Sequence, residues 1–172
     1  METPRQVVAP ETIARRIAEV GRRIADDYAG KDLVLVGILK GATVFLADLL
    51  RAIEGPVRFE LVQLTKESGH EGEAVELSFA THVHLKGSHA LILKDICHSG
   101  VTEQYLMTHL AQQRPASLEV AALVDRPALR RVALEPRYVV LGPVGEGRLV
   151  GCGMEHDGRW GNLPGIHELS GK

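Results

Sequence analysis

Leu91-Ile92-Leu93-Lys94-Asp95-Ile96-Cys97-His98-Ser99-Gly100-Val101-Thr102 carries an apolar run into a loop of small polar residues. The unbroken Leu and Ile side chains suit a strand covered on both faces. After Asp95 the chain has Ser, Gly and Thr, and beyond them an amphipathic segment that opens as a helix. A strand that delivers such a loop to a helix N-terminus presents free N–H groups and the positive end of the helix dipole, a favourable setting for a phosphate. Ser99 and Thr102 add hydroxyl donors, and Gly100 lets the backbone approach an anion. The same residues also suit an ordinary strand-to-helix turn with Ser99 as N-cap, and spacing alone leaves both open.

Working outward, Ile13, Ile17, Val20 and Ile24 recur at helical spacing and predict a helix over 11–28, closed by Gly30. An apolar strand is expected over 33–39, followed by a tight loop at Lys40-Gly41-Ala42 and a helix over 43–53. Residues 57–64 alternate, which predicts a half-exposed strand with Val57, Phe59 and Leu61 inward. The polar, Gly-containing stretch 65–73 reads as a mobile loop, and 74–83 as a strand beyond it. A helix over 101–113 and strands over 117–124, 138–141 and 149–150 follow, before a loop-rich tail that contains Trp160. Strands alternating with helices imply an α/β fold with a mostly parallel sheet flanked by helices. In such a sheet ligands bind at the carboxyl ends of the strands. Here those ends carry Lys40-Gly41, 94–102 and Asp125-Arg126-Pro127.

The whole chain, 1–172, is expected to form one domain. With 45% hydrophobic and 24% charged residues and a net charge of -2, it has no basic field for nucleic acid or an anionic membrane. Its apolar runs are too short to span a bilayer, and 1–5 lack the core of a signal peptide. Two cysteines without metal spacing suit a reducing cytoplasm. His82 and His84 share a strand face, with no third ligand nearby in sequence.

Four blocks in order, VLVGILKGATVFLADLLRAI (34–53), LILKDICHSGVT (91–102), ALVDRPALRRVAL (122–134) and LVGCGMEHDGRWGNLPGIHEL (149–169), resemble the hypoxanthine-guanine branch of the type I phosphoribosyltransferases. The resemblance implies that family's fold, with a small C-terminal hood over the base. It also implies transfer of ribose 5-phosphate from phosphoribosyl pyrophosphate to a purine base, with Mg²⁺, in a cytoplasmic homodimer or homotetramer. By the same resemblance Ser99, Gly100, Val101 and Thr102 hold the 5′-phosphate, and Lys40, Gly41 and Arg159 face pyrophosphate. Ile96, Arg126, Leu149 and Glu155 line the base region, Asp95 and His98 are catalytic, and Asp95 and Glu155 serve the metal.

The chain also departs from the family pattern. An acidic pair reads Lys94-Asp95, an Asp beside the purine N7 is His98, and a stacking aromatic residue is Arg148. A pyrophosphate-binding Arg falls at Gly161, and a Ser-Tyr pair in the mobile loop reads Lys66-Glu67. These changes keep a second expectation in view, a non-catalytic homologue that binds a phosphorylated ribose or nucleotide as a sensor or partner subunit.

Overall fold

The computed structural model describes residues 3–69, 72–79 and 84–169, with backbone alone for 65–69 and 72–79. Its centre is the strand pair the apolar runs anticipate. β2 (Leu33–Ile38) is buried at every position, and β5 (His89–Cys97) lies parallel to it, Gly37 opposite Leu93. A parallel pair needs a crossover, and helices supply it. α2 (Ala42–Ala52) leads from β2 to β3 (Arg58–Gly69), and α3 (Val101–Ala111) leads from β5 to β6 (Ser117–Asp125). With β4 (Gly72–Phe79) and β7 (Tyr138–Leu141), the strands form one sheet in the order β4-β3-β2-β5-β6-β7. All neighbours are parallel except β3 and β4, so five strands make the parallel core.

Strand alternation divides the interior into two layers. Leu33, Leu35, Leu91, Leu93, Ala121 and Leu123 face α2 and α1 (Pro10–Asp27), whose Ile13, Ile17, Val20 and Ile24 form the stripe foreseen from their spacing. Val34, Val36, Ala90, Ile92, Val120 and Ala122 face α3 through Leu106 and Leu110. A second, smaller sheet orders β1 (Arg5–Val8), β9 (Ile166–Leu169) and β8 (Arg148–Val150). Leu149, Met154 and Ile166 attach this sheet to the first layer of the core. It is the hood that the resemblance implied.

Two expectations need correction. The stretch 65–73 is not an open loop: β3 runs to Gly69 and β4 begins at Gly72, paired antiparallel from Val62↔Phe79 to Gly69↔Gly72. Backbone ladder bonds hold this hairpin, and they are indifferent to the polar side chains that suggested a loop. The strand expected over 74–83 is present as β4 as far as Phe79; 80–83, with His82, lie outside the described residues. Phe59 is 52% exposed rather than inward, because the cover over Val57 and Leu61 does not extend across it. The four-residue strands β1 and β9 were not foreseen.

Leu91→Ala, at a fully buried site, is expected to lower unfolding free energy by about 2–5 kcal/mol. Phe59→Ala should change it by less than roughly 1 kcal/mol. Denaturant titration of the two variants checks the burial assignment.

Candidate active site

Side-chain alternation along β5 breaks where charge first appears. Leu91 and Leu93 pack on one layer and Ala90 and Ile92 on the other, but then Ile96 joins the first layer and Cys97 the second. Lys94 and Asp95 occupy the break. The Lys94 ammonium lies 3.0 Å from Asp95 Oδ1, and the two side chains are only 23% and 18% exposed. Asp95 Oδ2 lies against Gly41, so closely that a Cβ there would collide with it. Gly41 is therefore required by close approach, and it joins the end of β2 to the end of β5. The Leu39–Lys40 peptide entering this turn is cis. On its far side Gly153 presses on the Gly41 carbonyl, which an added Cβ would approach to 2.8 Å. Asp95, the Lys40-Gly41 turn and the hood turn thus stack in contact. From the hood, Glu155 faces Lys40 at 3.6 Å across a largely exposed gap.

Beyond β5 the loop enters α3 through Gly100, the helix N-cap, at φ +76°. That left-handed conformation favours glycine, and Val132 crowds the spot a Cβ would take at 2.9 Å. Ser99 is thus not the cap. Its hydroxyl accepts a long bond of 3.4 Å from the Val101 N–H, and no side chain caps the helix. Ser99 and Thr102 are partly exposed beside this uncapped end, open to an anion.

Arg130, to which the sequence analysis assigned no role, braces the loop from below. Its Nη1 donates to Cys97 Sγ at 2.7 Å and to the His98 carbonyl at 2.8 Å, and Nη2 pairs with Asp125. Both charged side chains are largely buried. The Arg131 N–H adds a bond to the Ser99 carbonyl at 2.9 Å. Burial pushes the Cys97 thiol up to about 11, so Cys97 stays a neutral packing residue.

Buried Glu103, on the first turn of α3, is a second feature the sequence did not flag. Only 2% of it is exposed, and its Oε1 has no partner. Burial raises its carboxyl, while its own N–H and the Lys94 charge pull the other way. For Lys94 the balance reverses. Burial disfavours the ammonium, but Asp95 and the Glu103 charge outweigh it and hold the pKa above the usual lysine range. His98 lies at the crest of the loop, with an open surface. Its imidazole is held below the ordinary value, first by partial burial and then by the positive charges of Arg126 and Lys94.

Arg126 is committed in part. Its Nη2 donates to the carbonyls of Val144, Gly145 and Gly147 at 2.9, 3.2 and 3.0 Å, which fastens the loop before β8, while its buried Nε has no partner. Leu149 and Val150 follow as buried residues of β8, and Ile96 is partly buried in the same layer. Arg148 is exposed, its Nη1 3.1 Å from His156 Nδ1. Arg159 joins Glu155, Trp160 and Gly161 around a surface recess of about 530 Å³. At Gly161 a Cβ would meet Glu155 Cγ at 2.9 Å.

The strand-end residues read from the sequence therefore converge: 94–102, Lys40-Gly41 and Arg126 on the main sheet, with Leu149 and Glu155 above. Among the described residues no three His, Cys, Asp or Glu side chains group to hold a metal ion by themselves. Asp95 and Glu155 are nevertheless oxygen donors on either side of one turn. One or two carboxylates completed by substrate phosphates suit Mg²⁺.

Known proteins match this chain in sequence and fold. A family model described as phosphoribosyl transferase domain matches residues 5–155. A hypoxanthine-guanine phosphoribosyltransferase from Mycobacterium avium is 33% identical over 171 residues, 95% of this chain and 84% of the relative. A hypoxanthine-guanine phosphoribosyltransferase from Bacillus anthracis, solved with HEPES in its active site, superposes with a TM-score of 0.89 at 26% identity, covering 99% of each chain. A variant hypoxanthine phosphoribosyltransferase from Trypanosoma cruzi, complexed with the product IMP, gives 0.87 at 32% identity, covering 98% of this chain and 91% of the other.

Replacing Arg130 by Met is expected to leave Asp125 buried and unpaired. Equilibrium unfolding should show a loss of about 3–5 kcal/mol.

Proposed function

The chain belongs to the phosphoribosyl transferase domain family, and from that membership we propose that it transfers ribose 5-phosphate from phosphoribosyl pyrophosphate to a 6-oxopurine, giving a nucleoside monophosphate and pyrophosphate. One contact supports this above all: Asp95 packed on Gly41. It sets an anion-binding helix end and a second strand-end turn within one substrate's reach.

The 5′-phosphate is held by the backbone of Gly100, Val101 and Thr102 with the Ser99 and Thr102 hydroxyls. The diphosphate lies toward Lys40, Gly41 and Arg159. Ile96 and the Leu149 backbone flank the base, near Glu155, and Arg126 faces its 6-oxo edge through the nitrogens not bound to the 144–147 loop. When the purine nitrogen bonds to the anomeric carbon, the bond to the diphosphate oxygen breaks and positive charge grows on the ribose. Asp95 lies where it can stabilise that charge. The ring N–H proton passes to His98, whose neutral imidazole is the form that accepts it. Asp95 and Glu155 would hold Mg²⁺, which when bound offsets charge on the leaving diphosphate. The reading includes a cytoplasmic homodimer or homotetramer; no helix among the described residues is long and apolar enough to cross a membrane.

A second reading rests on Lys94, because a cation paired to Asp95 suits a sensor that binds a phosphorylated ribose without turnover. Pyrophosphate release with Mg²⁺ and hypoxanthine, guanine, xanthine or adenine separates the two. Release with a 6-oxopurine is expected. No release, alongside thermal stabilisation by a nucleoside monophosphate, would favour the sensor.

Thr102→Ala should weaken nucleoside monophosphate binding by about 1–3 kcal/mol in a calorimetric titration. His98 has a depressed pKa, so its base form persists on acidification. The acid limb of kcat/KM is therefore expected below the ordinary imidazole value of 6.5. In His98→Asn that limb should vanish, with a rate loss of about 10²–10⁴-fold.

A further inference from the structure

One oxygen of Asp95 is already engaged and the other faces backbone. Oδ1 receives the Lys94 ammonium at 3.0 Å, and Oδ2 lies against Gly41. A divalent cation that takes Oδ1 has to displace Lys94. The pair is well shielded from solvent, so it is not one of the loose surface contacts that exchange freely. An ammonium has three donors, and beyond Asp95 no acceptor contacts it among the described residues. Lys94 also stands at the strand end that faces the Lys40-Gly41 turn. Its charged and titratable neighbours there are Glu103 on α3 and Cys97 and His98 on its own strand and loop.

We propose that Lys94 is a ligand of the substrate's diphosphate, and that until the diphosphate arrives it occupies the Asp95 oxygen a divalent cation would need. The proposal rests on the transferase reading for the identity of the substrate, and its physical basis is a change of partner. A diphosphate carries several negative charges where Asp95 carries one, so it draws the ammonium more strongly at equal distance. When Lys94 turns to the diphosphate, Asp95 Oδ1 is released to a ribose hydroxyl or to an ion that comes with the substrate. The free protein is then a poor binder of divalent cations, and carboxylate and ion meet only once the anion is in place.

The test uses the free protein, Mn²⁺ as a paramagnetic probe followed by water-proton relaxation, and inorganic pyrophosphate titrated calorimetrically in EDTA. Lys94→Met should bind Mn²⁺ at least about tenfold more tightly than the unaltered protein, and pyrophosphate at least about tenfold more weakly. Lys94→Arg, which keeps the charge, should stay within about threefold for both. Adding Asp95→Asn to Lys94→Met should abolish the gain in Mn²⁺ affinity. Should Lys94→Met not fold, Lys94→Gln, which can still hydrogen-bond Asp95, takes its place with the same expectations.

Unchanged Mn²⁺ affinity would overturn the proposal, and so would pyrophosphate binding that is absent in the unaltered protein or insensitive to the substitution. Failure of the transferase reading looks different. In that case no base supports release from phosphoribosyl pyrophosphate, while the Mn²⁺ and pyrophosphate effects of Lys94 remain.

Discussion

The site depends on a contact that leaves no room for a side chain, the Asp95 carboxylate against the backbone of Gly41. Sheet order makes it possible. β2 and β5 are parallel neighbours with Gly37 opposite Leu93, so their carboxyl ends emerge side by side. A lone carboxylate at that edge would be solvated and mobile. Here it is held between an ammonium and a backbone turn, and the hood rests on the same turn through Gly153. The cradle for an anion and the turn facing it are thereby held at a fixed separation by packing alone.

Electrostatics follow from that arrangement. Lys94, Arg126 and Arg130 crowd the loops, and each is balanced differently: Lys94 by Asp95 and the buried Glu103, Arg130 by Asp125, Arg126 by three carbonyl oxygens. Fixed dipoles and buried carboxylates thus keep several cations together in the absence of substrate. Partial burial, and then the nearby charges of Arg126 and Lys94, hold the imidazole of His98 below its ordinary value.

Much of this was legible in the sequence, wherever periodicity and length worked together. The Ile13–Ile24 stripe and the continuous strands at 33–39 and 91–97 pointed to helices and buried parallel strands, and the four family-like blocks to the hood. The hairpin of β3 and β4 was hidden because backbone pairing, not side-chain hydrophobicity, stabilises it. β1 (RQVV) and β9 (IHEL) were hidden because neither is an apolar run like YVVL, nor a regular polar–apolar alternation. In the site, small residues at strand ends located the loops, but side-chain partners depend on geometry no spacing reveals. Nothing in the sequence indicates that Arg126 clasps three carbonyls, or that Arg130 lies beneath His98 rather than in solvent. The buried Glu103 is equally silent, since a Glu in a first helical turn is ordinarily a solvated partner of the dipole.

The side-chain-free contact layer also determines where this scaffold can drift over generations. Positions 41 and 153 admit no Cβ without dislodging a neighbour, so random substitution there is purged before it can be tried for a new chemistry. Arg148, Glu155 and Arg159 stand exposed on the hood, and each can be exchanged without disturbing a packed interface. Side chains can therefore be exchanged more freely at the rim of the hood than at the two glycines beneath it.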